Sequence, residues 1–149
     1  MGNGLLLGID VGKARVGVAR SDAGGSFAVP LVTLARDSAM SELESLIAEL
    51  EPIELVVGLP LSLNGSETAS TTDAREFCSE LMQRFKKPVR MVDERLSTVS
   101  AGNSLREAKH STKAQKPMID QMAATLILQL ALDARRAGNN IGEMMGIDE

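Results

Sequence analysis

The sequence has neither tryptophan nor tyrosine, only three phenylalanines, one histidine and one cysteine. Each scarcity excludes something. With Phe27, Phe77 and Phe85 as its only aromatic residues, the chain lacks the platform on which single-stranded bases stack, so any contact with a polynucleotide must lean on backbone and shape. The lone Cys78 cannot close an internal disulfide, and among helix-forming residues it reads as a small hydrophobe rather than a nucleophile. One histidine, His110, and no cysteine cluster leave no donor set for zinc. No run of about 18 apolar residues occurs, which argues against a membrane partner. The opening MGNGLLLGID passes from Met1 straight into a strand-like segment without a basic leader. The expected compartment is reducing cytoplasm.

Net positive charge is also missing. The chain carries −4, an unpromising value for a protein that handles nucleic acid, since Lys and Arg supply most non-specific affinity for phosphate. The average hides an asymmetry. Between Arg84 and Lys116 nine basic residues stand against three acidic ones, a local balance of +6 that leaves −10 for the remainder. Such a split suggests a basic face on an acidic body, and within it Lys113 and Lys116 are candidate contacts to a nucleic-acid backbone. Ordinary solvated helix faces would give the same count.

What is present suits a globular fold. The 149 residues are 44% hydrophobic and 24% charged, enough for one core in one domain. The division expected is residues 1–138 as the domain and 139–149 as a loosely held C-terminal tail. Leu5 to Asp10 and Ala14 to Arg20 flank a glycine turn and read as a hairpin, with Ala28 to Leu34 as a third strand. Asp37 or Ser38 starts a helix that Pro52 closes after Leu50. Ile53 to Leu59 is apolar without alternation, as in a strand buried on both faces. Asn64-Gly65 marks a loop, and a helix follows from about Thr72 to Phe85. Pro88 to Val92 is a fifth strand. A helix from Ser97 or Thr98 to about Lys109 comes next, and Pro117 opens a last helix that ends before Gly138. The order β-β-β-α-β-α-β-α-α implies an α/β fold with a mixed five-stranded sheet, its first three strands an antiparallel meander, and helices on both faces.

Three segments carry chemistry. In Gly8-Ile9-Asp10-Val11-Gly12 an aspartate stands beside a turn, flanked by glycines that would let a phosphate approach the backbone. In Val92-Asp93-Glu94-Arg95-Leu96-Ser97-Thr98 three charged residues follow a buried strand. Ligands of open α/β sheets sit outside the carboxyl ends of the strands, so one carboxylate here can take a metal while Arg95 neutralises phosphate. The plainer alternative is a capping role for Ser97 or Thr98 beside surface charge. Asp120, near the start of the last helix, would suit the helix dipole. At about 100° per residue, however, Ala123, Ala124, Ile127, Leu130, Ala131 and Ala134 fall on its side of the wheel. An inward carboxylate needs a cation or hydrogen-bond donors. The two alanines would let this helix approach the sheet. Carboxylates alone suit Mg²⁺ or Mn²⁺, which can activate water against a phosphodiester. His110, alone in a basic loop, reads as a bystander.

GIDVGKARVGVARSD, VVGLPLSLNGS, VDERLST and IDQMAATLILQLALD, in that order, resemble the YqgF or RuvX family, described as Holliday junction resolvases and as pre-16S rRNA nucleases. The resemblance spans roughly residues 5 to 133. It implies the ribonuclease H-like fold and an acidic, metal-holding and catalytic triad at Asp10, Glu94 and Asp120. It also implies phosphate contacts from Arg15 and Arg95, and a substrate loop with Gly58, Pro60, Asn64 and Gly65. Two positions depart: Ala14 stands where the family usually has a basic residue, and Ser97-Thr98 stands where a threonine pair is usual, keeping Thr98 as a hydroxyl contact. The functions implied are trimming of the 5′ end of pre-16S rRNA or resolution of branched DNA by a dimer. Alternatives are a non-catalytic nucleic-acid-binding module and, more distantly, a fragment of an actin-like ATPase. Monomer and homodimer both remain open.

Overall fold

The first two apolar runs pair as expected, β1 (Leu6–Val11) antiparallel to β2 (Arg15–Ser21). The Gly12 N–H closes the turn between them on the Arg15 carbonyl at 2.9 Å. β3 (Ala28–Ala35) then pairs antiparallel with β2. This computed structural model describes residues 4–96, 116–138 and 143–145, without the side chains of 116–119 and 143–145.

A 3₁₀ turn (Arg36–Ser38) leads from β3 into α1 (Ala39–Leu50). β4 (Glu54–Leu59), buried at every position, lies parallel to β1. α2 (Ala69–Phe85) starts earlier than the apolar periodicity suggests. The cause is a capping box, in which Thr68 accepts the Thr71 N–H and the Thr71 hydroxyl accepts the Thr68 N–H. β5 (Val89–Asp93) follows, parallel to β4, and α3 (Lys116–Arg136) is the last helix.

The five expected strands form the sheet, and a sixth is added to it. Residues β6 (Glu143–Met145), placed by the sequence in the tail, pair antiparallel with β5, so the strand order is β3-β2-β1-β4-β5-β6. The helix expected over Ser97 to Lys109 lies outside the described residues, as do Thr98, His110 and Lys113. For Lys116 only the backbone, at the start of α3, is described.

Strand alternation divides the core between two layers. Leu7, Ile9, Val16, Val18, Leu55 and Val57 face α1 and α2, against Leu43, Ile47, Phe77 and Leu81. Leu6, Ala19, Val56 and Val92 face α3, against Ala124, Ile127, Leu128 and Leu132. Truncating a side chain as buried as Leu128 costs about 2–5 kcal/mol. The burial of Asp10 beneath α3 is set by this period, since Asp10 continues the Leu6, Gly8 row.

The same alternation corrects the charge reading. Arg90 counts toward the basic segment, yet it points under α3, 8% exposed, with its Nε 2.8 Å from Glu54. Arg84 pairs with Glu80 along α2. Neither is an unengaged surface cation.

Candidate active site

Asp10 lies near the end of β1, 6% exposed. Its register partner across β1 and β2 is Gly17, and on the other side Ile9 pairs with Val57, so Gly58 is the next residue of β4 at this level. Asp10 therefore stands between two glycines on neighbouring strands. Both face α3.

Those glycines make room for the backbone of Asp120 and for the side chain of Glu94. A Cβ built on Gly17 would lie 2.1 Å from the Asp120 carbonyl oxygen and 3.1 Å from the Asp120 Cβ. One built on Gly58 would lie 2.6 Å from a Glu94 carboxylate oxygen and 2.6 Å from the Ile127 Cδ1. α3 thus presses its second turn onto β2, helped by Ala123 and Ala124, both buried. Glu94, just after β5, donates its N–H to the Leu59 carbonyl at 3.0 Å and folds its side chain back over β4. Asp10, Glu94 and Asp120, far apart in sequence, are brought to one level of the sheet on its α3 side.

Asp120 does face inward, and it has found a cation. The Arg15 Nε donates to its Oδ2 at 2.9 Å, with the two side chains 34% and 16% exposed. A carboxylate that far from water is stabilised by such a partner. Oxygen-only donors of this kind fit Mg²⁺ or Mn²⁺. Among the described residues, though, no three acidic, histidine or cysteine side chains already stand in ligand geometry. With Arg15 on Asp120, the three carboxylates are gathered but not yet converged.

Arg95 is bound close to home. Its Nε reaches both carboxylate oxygens of Asp93, at 3.1 and 3.0 Å, and its Nη2 reaches Oδ2 at 2.6 Å. The guanidinium holds the Asp93 carboxyl below the usual carboxylate range and is itself pushed up by it. Nη1 donates to the Leu63 carbonyl at 3.2 Å, which ties the end of β5 to the Asn64-Gly65 loop. Within that loop the Asn64 amide oxygen accepts the Ser66 N–H at 3.0 Å and the Ser62 hydroxyl, so the side chain shapes its own turn. Cys78 is fully buried, and burial pushes its thiol up to about 12, as befits a core residue.

Gly17 is the residue that motif reading passed over. Its signal was available: a glycine in the middle of a strand often marks the close approach of another backbone.

The family model named RuvX and described as "Holliday junction resolvase" matches residues 4–134. A protein of Leifsonia xyli subsp. xyli named "Putative pre-16S rRNA nuclease" is 48% identical over 140 residues, covering 92% of this chain and 90% of its own length. A protein of the same name from Clavibacter michiganensis is 50% identical, covering 92% and 88%, and one from Mycolicibacterium smegmatis is 47% identical, covering 91% and 84%. Among solved structures, Thermus thermophilus RuvC in complex with a Holliday junction substrate superposes with a TM-score of 0.61 over 92% of this chain and 98% of its own, at 15% identity. A second structure of RuvC from that organism gives 0.59. At that identity the likeness shows a shared fold, the ribonuclease H-like fold.

Proposed function

The chain belongs to the RuvX family and is a nuclease, a hydrolase of phosphodiester bonds, and on that premise we propose that Asp10, Glu94 and Asp120 are its catalytic, metal-holding residues. The observation that carries this reading is the packing of Asp120 onto Gly17 and of Glu94 onto Gly58, on either side of Asp10. Acidic side chains brought to one level of the sheet are oxygen donors of the kind that hold a divalent cation. These residues would hold Mg²⁺ or Mn²⁺, which would supply activation of water and charge neutralisation at the scissile phosphate.

The chain's own residues do the rest. Arg15, partly exposed and already beside Asp120, is a cation at hand for a phosphate brought to the site, and exchanging Asp120 for that phosphate keeps its charge matched. Arg95 takes part from the end of β5, through the loop that carries Asn64. Thr98, Lys113 and Lys116 are assigned as further backbone contacts by their chemistry, a hydroxyl and two ammonium groups. The aromatic-poor surface suits recognition by shape.

The substrate we propose is the 5′ end of pre-16S rRNA, the RNA in the names of the relatives that share about half of their residues with this chain. The description of the family and the junction bound by RuvC favour a second reading, resolution of four-way DNA. That reaction takes two sites, hence a homodimer; trimming of RNA works as a monomer. Among the described residues no helix is long and apolar enough to cross a membrane, and the proposed place of action is the cytoplasm.

Cleavage of a pre-16S 5′ fragment and of a four-way DNA junction, each with Mg²⁺, Mn²⁺ or EDTA, tests the reading with wild type and Asp120→Asn. Metal-dependent cutting of the RNA that disappears in the variant is expected. Cutting of the junction alone selects the second reading, and cutting that survives in Asp120→Asn removes that residue from the site.

A further inference from the structure

The β1–β2 turn is the piece of backbone on which half of the proposed site hangs. Asp10 leads into it and Arg15 leaves it. One side chain grips this turn from outside the hairpin. Arg36, in the 3₁₀ turn after β3, donates from Nη1 to the Gly12 carbonyl at 2.8 Å, while its backbone N–H donates to the Ala14 carbonyl at 2.9 Å. The same guanidinium forks onto Asp73 of α2, Nη1 to Oδ2 and Nη2 to Oδ1, each at 2.8 Å. Its Cζ lies 5.1 Å from the centre of the Phe77 ring. The end of β3, the turn and α2 are joined through one planar group.

We propose that Arg36 is a positioning residue: anchored by Asp73, it fixes the Gly12–Ala14 turn and thereby the placement of Asp10 and Arg15. The inference rests on the reading of those two residues as part of the site. Two simpler roles fit less well. Arg36 is no phosphate contact, because it shares a cleft of about 290 Å³ with Asp37, Asp73, Glu76 and Glu80, and four carboxylates repel an anion. The cleft also lies on the α1–α2 side of the sheet, whereas Asp10 faces α3. Nor is the ion pair a large source of stability, with Arg36 23% and Asp73 36% exposed. The particular consequence lies in the bond to Gly12. A bidentate guanidinium held in plane has little freedom left, so that bond comes ready aligned.

The test uses the full chain and whichever of the two substrates wild type cuts. kcat, KM, Tm and Mn²⁺ affinity by calorimetry are measured for Arg36→Lys, for Asp73→Asn, and for the reversed pair Arg36→Asp with Asp73→Arg. Lysine ends one bond short of Nη1 and has no planar fork, so it cannot keep the two-point hold on Asp73 that aligns the bond to Gly12. Arg36→Lys and Asp73→Asn should each lower kcat about 10-fold and weaken Mn²⁺ binding, with little change in KM, as lost support behind a metal site does. The reversed pair regains Tm without regaining kcat, because a carboxylate at position 36 accepts and cannot donate to the Gly12 carbonyl. Wild-type kcat and Mn²⁺ affinity in Arg36→Lys, or kcat that returns with Tm in the reversed pair, overturns the inference. Asp10→Asn in parallel separates the two failures. If it abolishes cleavage while the Arg36 variants behave as wild type, the inference alone falls; if it cuts like wild type, the site reading falls and takes the inference with it.

Discussion

The two ends of the sheet beneath α3 handle carboxylates in opposite ways. At the end where β4 and β5 begin, Glu54 is held between two guanidiniums, Arg90 at 2.8 Å and Arg135 of α3 at 3.4 Å. At the end where β1, β4 and β5 finish, Asp10, Glu94 and Asp120 collect around two glycines, with Arg15 against Asp120. In the first, one carboxylate meets two permanent cations, an arrangement that fixes how two strands and a helix fit together. In the second, three acidic side chains and Arg15 share one level of the sheet among the described residues, the arrangement proposed to take a removable cation. The doubly paired Glu54 serves the fold; the gathered acidic group is where the proposed chemistry lies.

This contrast breaks if the two ends respond alike to mutation. The largest effect expected is on stability, at the far end. Glu54→Gln leaves Arg90 buried beside a neutral amide and should cost about 3–5 kcal/mol in urea unfolding, while folded enzyme keeps its cleavage rate. Gly17→Ala comes next, and acts on chemistry. Its Cβ would sit 2.1 Å from a helix carbonyl that cannot give way, so α3 is displaced by a sizeable fraction of an ångström. A misplaced Asp120 should reduce kcat about 100-fold. Gly58→Ala is the sharper comparison. Its Cβ would meet the ends of two flexible side chains, Glu94 and Ile127, which can swing aside, and a loss of about 10-fold or less is expected in the same assay.

The smallest effect is a pH dependence. Arg36 holds the Asp73 carboxyl below its ordinary value of 3.8, and Arg95 does the same for Asp93. A depressed folded-state value gives stabilisation that is complete above 3.8 and is lost as pH falls through the lower folded-state values. Unfolding midpoints should therefore drop below about pH 4, and Asp73→Asn should flatten that drop slightly, since both partners are partly exposed.

Much of the site could be read from local sequence. Asp10 stood beside a glycine turn, Glu94 followed a buried strand, and the helical wheel of 117–136 turned Asp120 inward; each signal spans only a few residues. The ion pair of Arg15 with Asp120 joins residues 105 apart, and no local pattern encodes such a partner. Arg90 was legible and misassigned. In Val89-Arg90-Met91-Val92 the alternation puts Arg90 on the Val92 face, under α3, but a charge count ignores the face a residue takes. β6 was not legible, because three residues give no period and their pairing is supplied by the open edge of β5. Strand boundaries elsewhere moved by one residue or so, whereas α2 began at its capping box and not at its first apolar residue.

The most direct test of the account is calorimetric titration of the nucleic-acid-free protein with Mn²⁺, comparing wild type with Asp10→Asn, Glu94→Gln and Asp120→Asn, and with Glu54→Gln as the far-end control. Weakened binding in all three site variants, with wild-type affinity in Glu54→Gln, is the predicted result. Equal Mn²⁺ affinity in wild type and Asp10→Asn would contradict it, because Asp10 is the carboxylate at the centre of the arrangement.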